Sequence, residues 1–346
     1  MQFHILTISV LLVSTTYAAY QLVDDYPADN FAGKFDFFTG DDPTHGYVNY
    51  VDQNTASRLG LFKQQGDKIY IGVDSTHVTS SRGRNSVRIS SKTAYNHGLF
   101  ILDLAHIPDN QCGSWPAFWT FGPNWPNSGE IDIIEGMYSL FVVLLTDIIL
   151  GVNTQNTNAM TLHTSAGCSI TNTHDFTGNI VTSNCDVNAA GQPTNAGCGI
   201  RTNNTKSYGS GFNNVGGGVY GMEWTSAAIR IWFFPRSEIP SDIVSSRPDP
   251  NNWGLPLAKF SGCDIDSHFR NHNIIFDITF CGDWAGNVWS EDPVCASRAS
   301  SCIDYVRNNP TAFNDVYWLI NSLKVYQNNG EEDVEIIYNQ VFVAKS

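Results

Sequence analysis

Short apolar and β-branched runs recur along the chain, at residues 68–73, 86–90, 98–104, 219–224, 228–234, 273–278 and 334–344. Clusters of Gly, Asn, Asp and Pro separate them, and helical periodicity is scarce. Residues 219–234 read as a hairpin turning near Thr225 and Ser226. Many short strands at such spacing predict an antiparallel β-sandwich or jelly roll. The polar stretch 171–218, rich in Asn, Thr, Gly and Cys, is too long for an ordinary connection. Connections of that length are usually functional or cross-linked. The pattern contains no linker, repeat or second domain.

One run breaks the apolar rule. Glu130-Ile131-Asp132-Ile133-Ile134-Glu135 places three acids in six residues of β-prone sequence. Carboxylates in such a run cost free energy unless they are paired or used. Alternation puts Glu130 and Asp132 on one face of a strand and Glu135 on the other. A β-bulge at Ile133-Ile134 would return Glu135 to the first face. Three carboxylates would then line one side of the strand, an arrangement suited to glycoside hydrolysis by two carboxylates.

Charge narrows the substrate. The formal net charge is −14 over 346 residues. A phosphate backbone would be repelled, and anionic membranes are disfavoured for the same reason. A neutral polysaccharide fits better. The 20 Phe, 14 Tyr and 9 Trp offer faces on which sugar rings stack, although most rings taken singly belong to a sandwich core. Residues 1–19 read as a secretory signal: an apolar stretch, 5–13, precedes small residues, and Thr16-Tyr17-Ala18 resembles a cleavage site. That stretch is too short to span a bilayer. Eight cysteines follow, an even count that suits disulfides in a secreted, extracellular chain. None has CxxC spacing, so zinc is not expected. Their pairing stays open, with local bridges expected within 168–198 and within 263–302. Asn203-Asn204-Thr205 is an N-glycosylation sequon in a polar loop.

Several segments together carry a resemblance. Trp115-Pro116-Ala117-Phe118-Trp119 and Gly122-Pro123-Asn124-Trp125-Pro126 precede the acidic strand. Leu22-Val23-Asp24-Asp25-Tyr26, Phe35-Asp36-Phe37-Phe38, His45-Gly46-Tyr47-Val48-Asn49-Tyr50, Met160-Thr161-Leu162-His163-Thr164 and Cys281-Gly282-Asp283-Trp284 extend the match through nearly the whole mature chain. With Gly129 to Gly136 they resemble glycoside hydrolase family 16, and within it the fungal secreted endo-β-1,3(4)-glucanases of laminarinase type. The resemblance implies a concanavalin-like β-jelly roll of two antiparallel sheets with a concave cleft, formed by one catalytic domain over residues 20–346.

It also implies hydrolysis of β-1,3-glucosidic linkages with retention, extending to mixed β-1,3/1,4-glucans. Glu130 matches the nucleophile, Glu135 the general acid/base and Asp132 the assisting carboxylate between them. His163 matches a histidine of the neighbouring strand, placed to hydrogen-bond within the carboxylate cluster. Trp119 and Trp284 are the stronger candidates for sugar platforms, beside Trp125 and Trp115, the last of which could equally be core. Tyr47, Asn49 and Arg88 are candidates for polar contacts lining the cleft. Crowded carboxylates cannot all ionise cheaply, so one proton affinity should rise, and the general acid Glu135 should be its holder. No cofactor or metal is needed, and a structural calcium has no readable ligand set. The chain is expected to act as a monomer on a β-glucan polysaccharide, without nucleic acid or membrane. The alternatives are a transglycosylase on the same fold and a β-glucan-binding protein of impaired catalysis.

The impaired alternative arises at residues 137–151. In the family the acid/base Glu and its Gly run directly into a Val-Asn segment, which resumes here only at Val152-Asn153. The intervening residues are far more apolar than their neighbours and carry no turn chemistry. Gly136-Met137-Tyr138 can be encoded GGT ATG TAN, which contains GTATGT, a fungal splice donor. Leu145-Thr146 as CTN ACN fits a branch point, and Leu150-Gly151 can end an intron as TTA G. The hypothesis is a translated, unspliced intron that keeps the frame. Sequencing the mature transcript should find codons 137 to 151 missing; their retention in the dominant message would overturn it.

Overall fold

The computed structural model describes residues 20–79, 82–136 and 155–328. The expected leader, the run at 334–344 and the segment 137–151 lie outside the described residues. Two eight-stranded antiparallel sheets account for most of the rest, as the strand-rich pattern predicts. The first, called here the carboxylate sheet, has the order Asn179–Thr182, Cys198–Arg201, Ala159–His163, Glu130–Glu135, Ser114–Phe121, His272–Phe280, Arg88–Tyr95, Phe35–Phe37. The opposite sheet runs Ala258–Phe260, Ile229–Pro235, Gly218–Trp224, Gly98–His106, Tyr317–Asn328, Lys68–Gly72, Phe62–Gln65, with Tyr20–Asp25 also paired to Tyr317–Asn328. The predicted hairpin pairs Gly218–Trp224 with Ile229–Pro235, and Thr225 N–H donates to the Ala228 carbonyl across its turn.

Alternation decides which side chains meet between the sheets. On Ser114–Phe121, Pro116, Phe118 and Thr120 are buried, whereas Trp115, Trp119 and Phe121 are partly exposed on the other face. Phe118 packs on Phe276, and Phe276 meets Trp318 of the opposite sheet at 5.7 Å between ring centroids. Ile131, Leu162, Ile278, Leu102 and Ile320 fill the same core. Each such fully buried side chain contributes about 1.5–3 kcal/mol. The carboxylate sheet is thereby held on one face by an apolar core and left open on the other.

Three expectations are corrected. The run at 86–90 is not one strand: Arg84–Ser86 pairs in parallel with Val48–Tyr50, and Arg88–Tyr95 joins the carboxylate sheet. The stretch 171–218, read as a long cross-linked loop, is cross-linked by Cys185–Cys198 but also supplies the strands Asn179–Thr182 and Cys198–Arg201 and the helix Gly209–Asn214. The cysteines are only partly local. Cys185–Cys198 and Cys281–Cys302 are, but Cys168–Cys263 and Cys112–Cys295 span 95 and 183 residues. Long-range pairing follows from strand order, which brings segments distant in sequence side by side. Replacing Cys185 and Cys198 by Ala should lower the unfolding free energy by about 3 kcal/mol for a loop of this size, read by chemical denaturation. An unchanged midpoint would contradict this pairing.

Candidate active site

The strand Glu130–Glu135 lies between Ser114–Phe121 and Ala159–His163. Glu130 sits opposite Phe121 and His163, and Asp132 opposite Trp119 and Thr161. The register then slips. Ile134 faces Phe118 and Glu135 faces Ala117, so Ile133 is the extra residue of a β-bulge. One additional residue reverses the alternation beyond it, which returns Glu135 to the face of Glu130 and Asp132. The slip falls within the dipeptide that the sequence indicated.

Around the bulge, the carboxylates occupy different depths. Asp132 is buried, and Glu130 and Glu135 are partly exposed. His163 Nε2 lies 3.2 Å from Asp132 Oδ2. Glu130, Asp132 and His163 each present a ligand-type atom within 4.8 Å of the others, three donors where calcium takes about six to eight. Trp115 Nε1 donates to Glu135 Oε1 at 2.9 Å.

Electrostatics favours protons here. Burial raises the Glu130 carboxyl to about 8, reinforced by the Asp132 charge and opposed by His163 and the Trp125 side chain. Asp132 also rises to about 8, chiefly through burial, with Glu130 lowering it and Asp277 raising it. Glu135 is raised well above the usual carboxyl range, by burial first and by Asp132 next. The rise is therefore shared among all three rather than confined to one.

The same face carries an aromatic wall. Trp284, in the turn Gly282–Gly286, meets Trp115 edge-on at 5.0 Å. The disulfide Cys281–Cys302 ties the start of that turn. Trp119 packs on Phe121 at 5.0 Å, with the Arg88 guanidinium 5.0 Å from its ring. Trp125 is 41% exposed, the most open of the tryptophans near the carboxylates. Arg88 pairs across the sheet with Asp277 and is enclosed by Asp277 Oδ2 at 3.7 Å and Asp42 Oδ1 at 3.9 Å. Tyr47 and Asn49 have their polar groups engaged elsewhere: Tyr47 with Thr79 and Arg307, Asn49 with Asn85.

Two buried residues of this region escaped the sequence reading. Asp277 sits behind Trp119, raised to about 7 by burial while Arg88 opposes the rise. It is a lone acid in the apolar run Ile274-Ile275-Phe276-Asp277-Ile278, the same signal that marks Glu130. Asn158 is wholly buried beside the bulge and has no such signal.

A two-sheet sandwich with three carboxylates aligned on one open face is the architecture of a jelly-roll glycoside hydrolase domain. A family model described as XgeA-like, catalytic GH16 domain, matches residues 35–140 and 146–326, and the chain belongs to glycoside hydrolase family 16. It is 49% identical over 313 residues to an endo-1,3(4)-beta-glucanase of Arthroderma benhamiae, across 90% of this chain and 65% of that protein. Against an Aspergillus fumigatus relative it spans only 45% of the length, so the chain covers about half to two thirds of these curated relatives. Laminarinase 16A from Phanerochaete chrysosporium, solved with 6-O-glucosyl-laminaritriose in its donor and acceptor sites, superposes with a TM-score of 0.80 at 44% identity, over 90% of this chain and 100% of that one. An elongating family 16 β-1,3-glucosyltransferase gives 0.79 at 43% identity, over 89% and 100%.

The raised carboxyls have a consequence for stability. The folded state binds Glu130's proton up to about pH 8, whereas an unfolded Glu releases it near about 4.3. Between those values the fold binds more protons than the unfolded chain, so stability falls as pH rises. Glu130→Gln removes this penalty. Its melting temperature should exceed wild type by a margin that grows from pH 4.5 to pH 8, as read by differential scanning fluorimetry. A margin independent of pH would refute the assigned cause.

Proposed function

We propose that this chain is a retaining endo-hydrolase of β-1,3-glucosidic linkages in β-glucans such as laminarin, extending to mixed β-1,3/1,4-glucans. The observation that carries the reading is the bulged strand with Glu130, Asp132 and Glu135 on one open face. Retaining chemistry needs two carboxyls about 5–5.5 Å apart, one ionised and one protonated. The Glu135 carboxyl, raised well above the usual range by burial and the Asp132 charge, supports its role as the acid, and the nucleophile role of Glu130 rests on its place in the family's motif.

The steps follow from those roles. Glu130 attacks the anomeric carbon, the glycosidic C–O bond breaks, and Glu135 gives its proton to the leaving oxygen. Glu135, now ionised, takes a proton from water, whose oxygen attacks the anomeric carbon and releases Glu130. Asp132, with His163 against it, modulates the charge between the two. Trp119, Trp125 and Trp284, with Trp115 holding Glu135, supply faces for apolar sugar surfaces. Four disulfides support an oxidising, extracellular setting.

A second reading replaces water by a sugar hydroxyl in the second step. The glucosyltransferase of the same family at 43% identity favours keeping it. Product analysis separates the two, because oligomers longer than the substrate indicate transfer.

The deciding assay is reducing-end release from laminarin by two matched proteins, one as written and one lacking residues 137–151. Activity of the shortened form is expected, with Glu135→Gln lowering its kcat about 10²- to 10⁴-fold. Equal activity of the full chain would make the segment a tolerated element. Activity of the shortened form alone would make the segment an artefact or an inactivating lesion, and failure of both folded forms to cleave laminarin would overturn the substrate assignment.

A further inference from the structure

A β-bulge solves one problem and creates another. It turns Glu135 to the working face, but the strand Ala159–His163 pairs with Asp132 and next with Glu135, skipping the backbone between. The amide and carbonyl groups at the slip lose their ladder partners, and buried backbone groups are rarely left unmet. Asn158 meets them. Its Oδ1 accepts from Glu135 N–H at 3.0 Å, and its Nδ2 donates to the Ile133 carbonyl at 2.7 Å. These two partners fix the amide orientation, since an N–H demands the oxygen and a carbonyl demands the nitrogen.

Asn158 is itself immobilised. Its N–H donates to Ser207 Oγ at 3.0 Å and its carbonyl accepts from Thr202 N–H at 3.2 Å. Gln155, also buried, donates to the Glu135 carbonyl at 3.4 Å. With no exposed surface, Asn158 cannot touch a sugar.

We infer that Asn158 is the positioning residue of the general acid/base: it locks the bulge so that the Glu135 carboxyl meets the leaving oxygen. This rests on the retaining mechanism proposed above. A misplaced acid impairs departure of a poor leaving group, such as a sugar hydroxyl. A leaving group that departs without a proton is indifferent to it. A residue that merely supports the fold would affect both substrates alike.

The test uses the active form of the protein, its Asn158→Ala and Asn158→Asp variants, and Glu135→Ala as reference. Each is assayed on laminarin and on a dinitrophenyl β-laminaribioside. Asn158→Ala should lose about 10²-fold in kcat on laminarin, with KM unchanged, and keep the wild-type rate of dinitrophenolate release in the first turnover. If Ala prevents folding, judged by circular dichroism, Asn158→Asp decides. It keeps the shape and the Glu135 acceptor but sets a carboxylate against the Ile133 carbonyl, and should show the same split. Equal losses on both substrates, or a change confined to KM, overturn the inference. If Glu135→Ala itself shows no split between the substrates, the acid/base assignment fails instead.

Discussion

One extra residue, Ile133, is the constraint on which the rest depends. Side chains on a strand alternate without exception, so a regular strand holding Glu130 and Asp132 on the open face would drive Glu135 into the core with Ile131. The bulge reconciles a continuous buried layer of isoleucines with three acids on one side. Its position is set from both flanks, by Trp119 and Phe118 on one strand and by Thr161 and Ala159 on the other. A strand at the edge of the sheet could slip to relieve the strain. This one is fourth of eight, with partners on both sides, and cannot.

Rigid placement has an electrostatic consequence. Burial raises the proton affinity of all three carboxyls, and the Asp132 charge adds to the rise at Glu130 and Glu135. Stability is correspondingly lower near neutral pH, where the unfolded chain would release these protons. The opposing stabilisation comes from the other face of the same strands, where Phe118, Phe276 and Trp318 lock the sheets together. Arg88, between Asp42 and Asp277, adds a buried cation behind Trp119 and so braces an aromatic wall that faces the carboxylates.

Legibility in the sequence followed the range of the interactions. Local alternation gave the sandwich and the hairpin, and three acids in an apolar run marked the central strand of the site. The bulge was readable because carboxylates on the core side would be too costly. Tyr317–Asn328 was not read, although it lies at the centre of the opposite sheet. Its alternation breaks where the register slips after Ile320, so neither half looks like a full strand. Asp277 carried the same mark as Glu130 and could have been found. Asn158 could not, because it acts on backbone groups, and no side-chain pattern records which backbone groups a bulge leaves unpaired. The two long disulfides were hidden for a related reason: they report strand order rather than spacing.

The residues flanking 137–154 bear on how that segment relates to the site. Glu135 pairs with Ala159, its amide is met by Asn158 and its carbonyl by Gln155. All of these groups lie on or before Glu135 or on or after Gln155. Each doubling of a loop's length costs only about 0.6 kcal/mol in closure entropy. Thermodynamics of the strand pair therefore tolerates either length of connection. What differs is chemistry along the chain, where a run as apolar as Leu140-Phe141-Val142-Val143-Leu144-Leu145 follows Glu135 in sequence within a few residues. Selection against such a run would act through aggregation and access to Glu135 rather than through the fold.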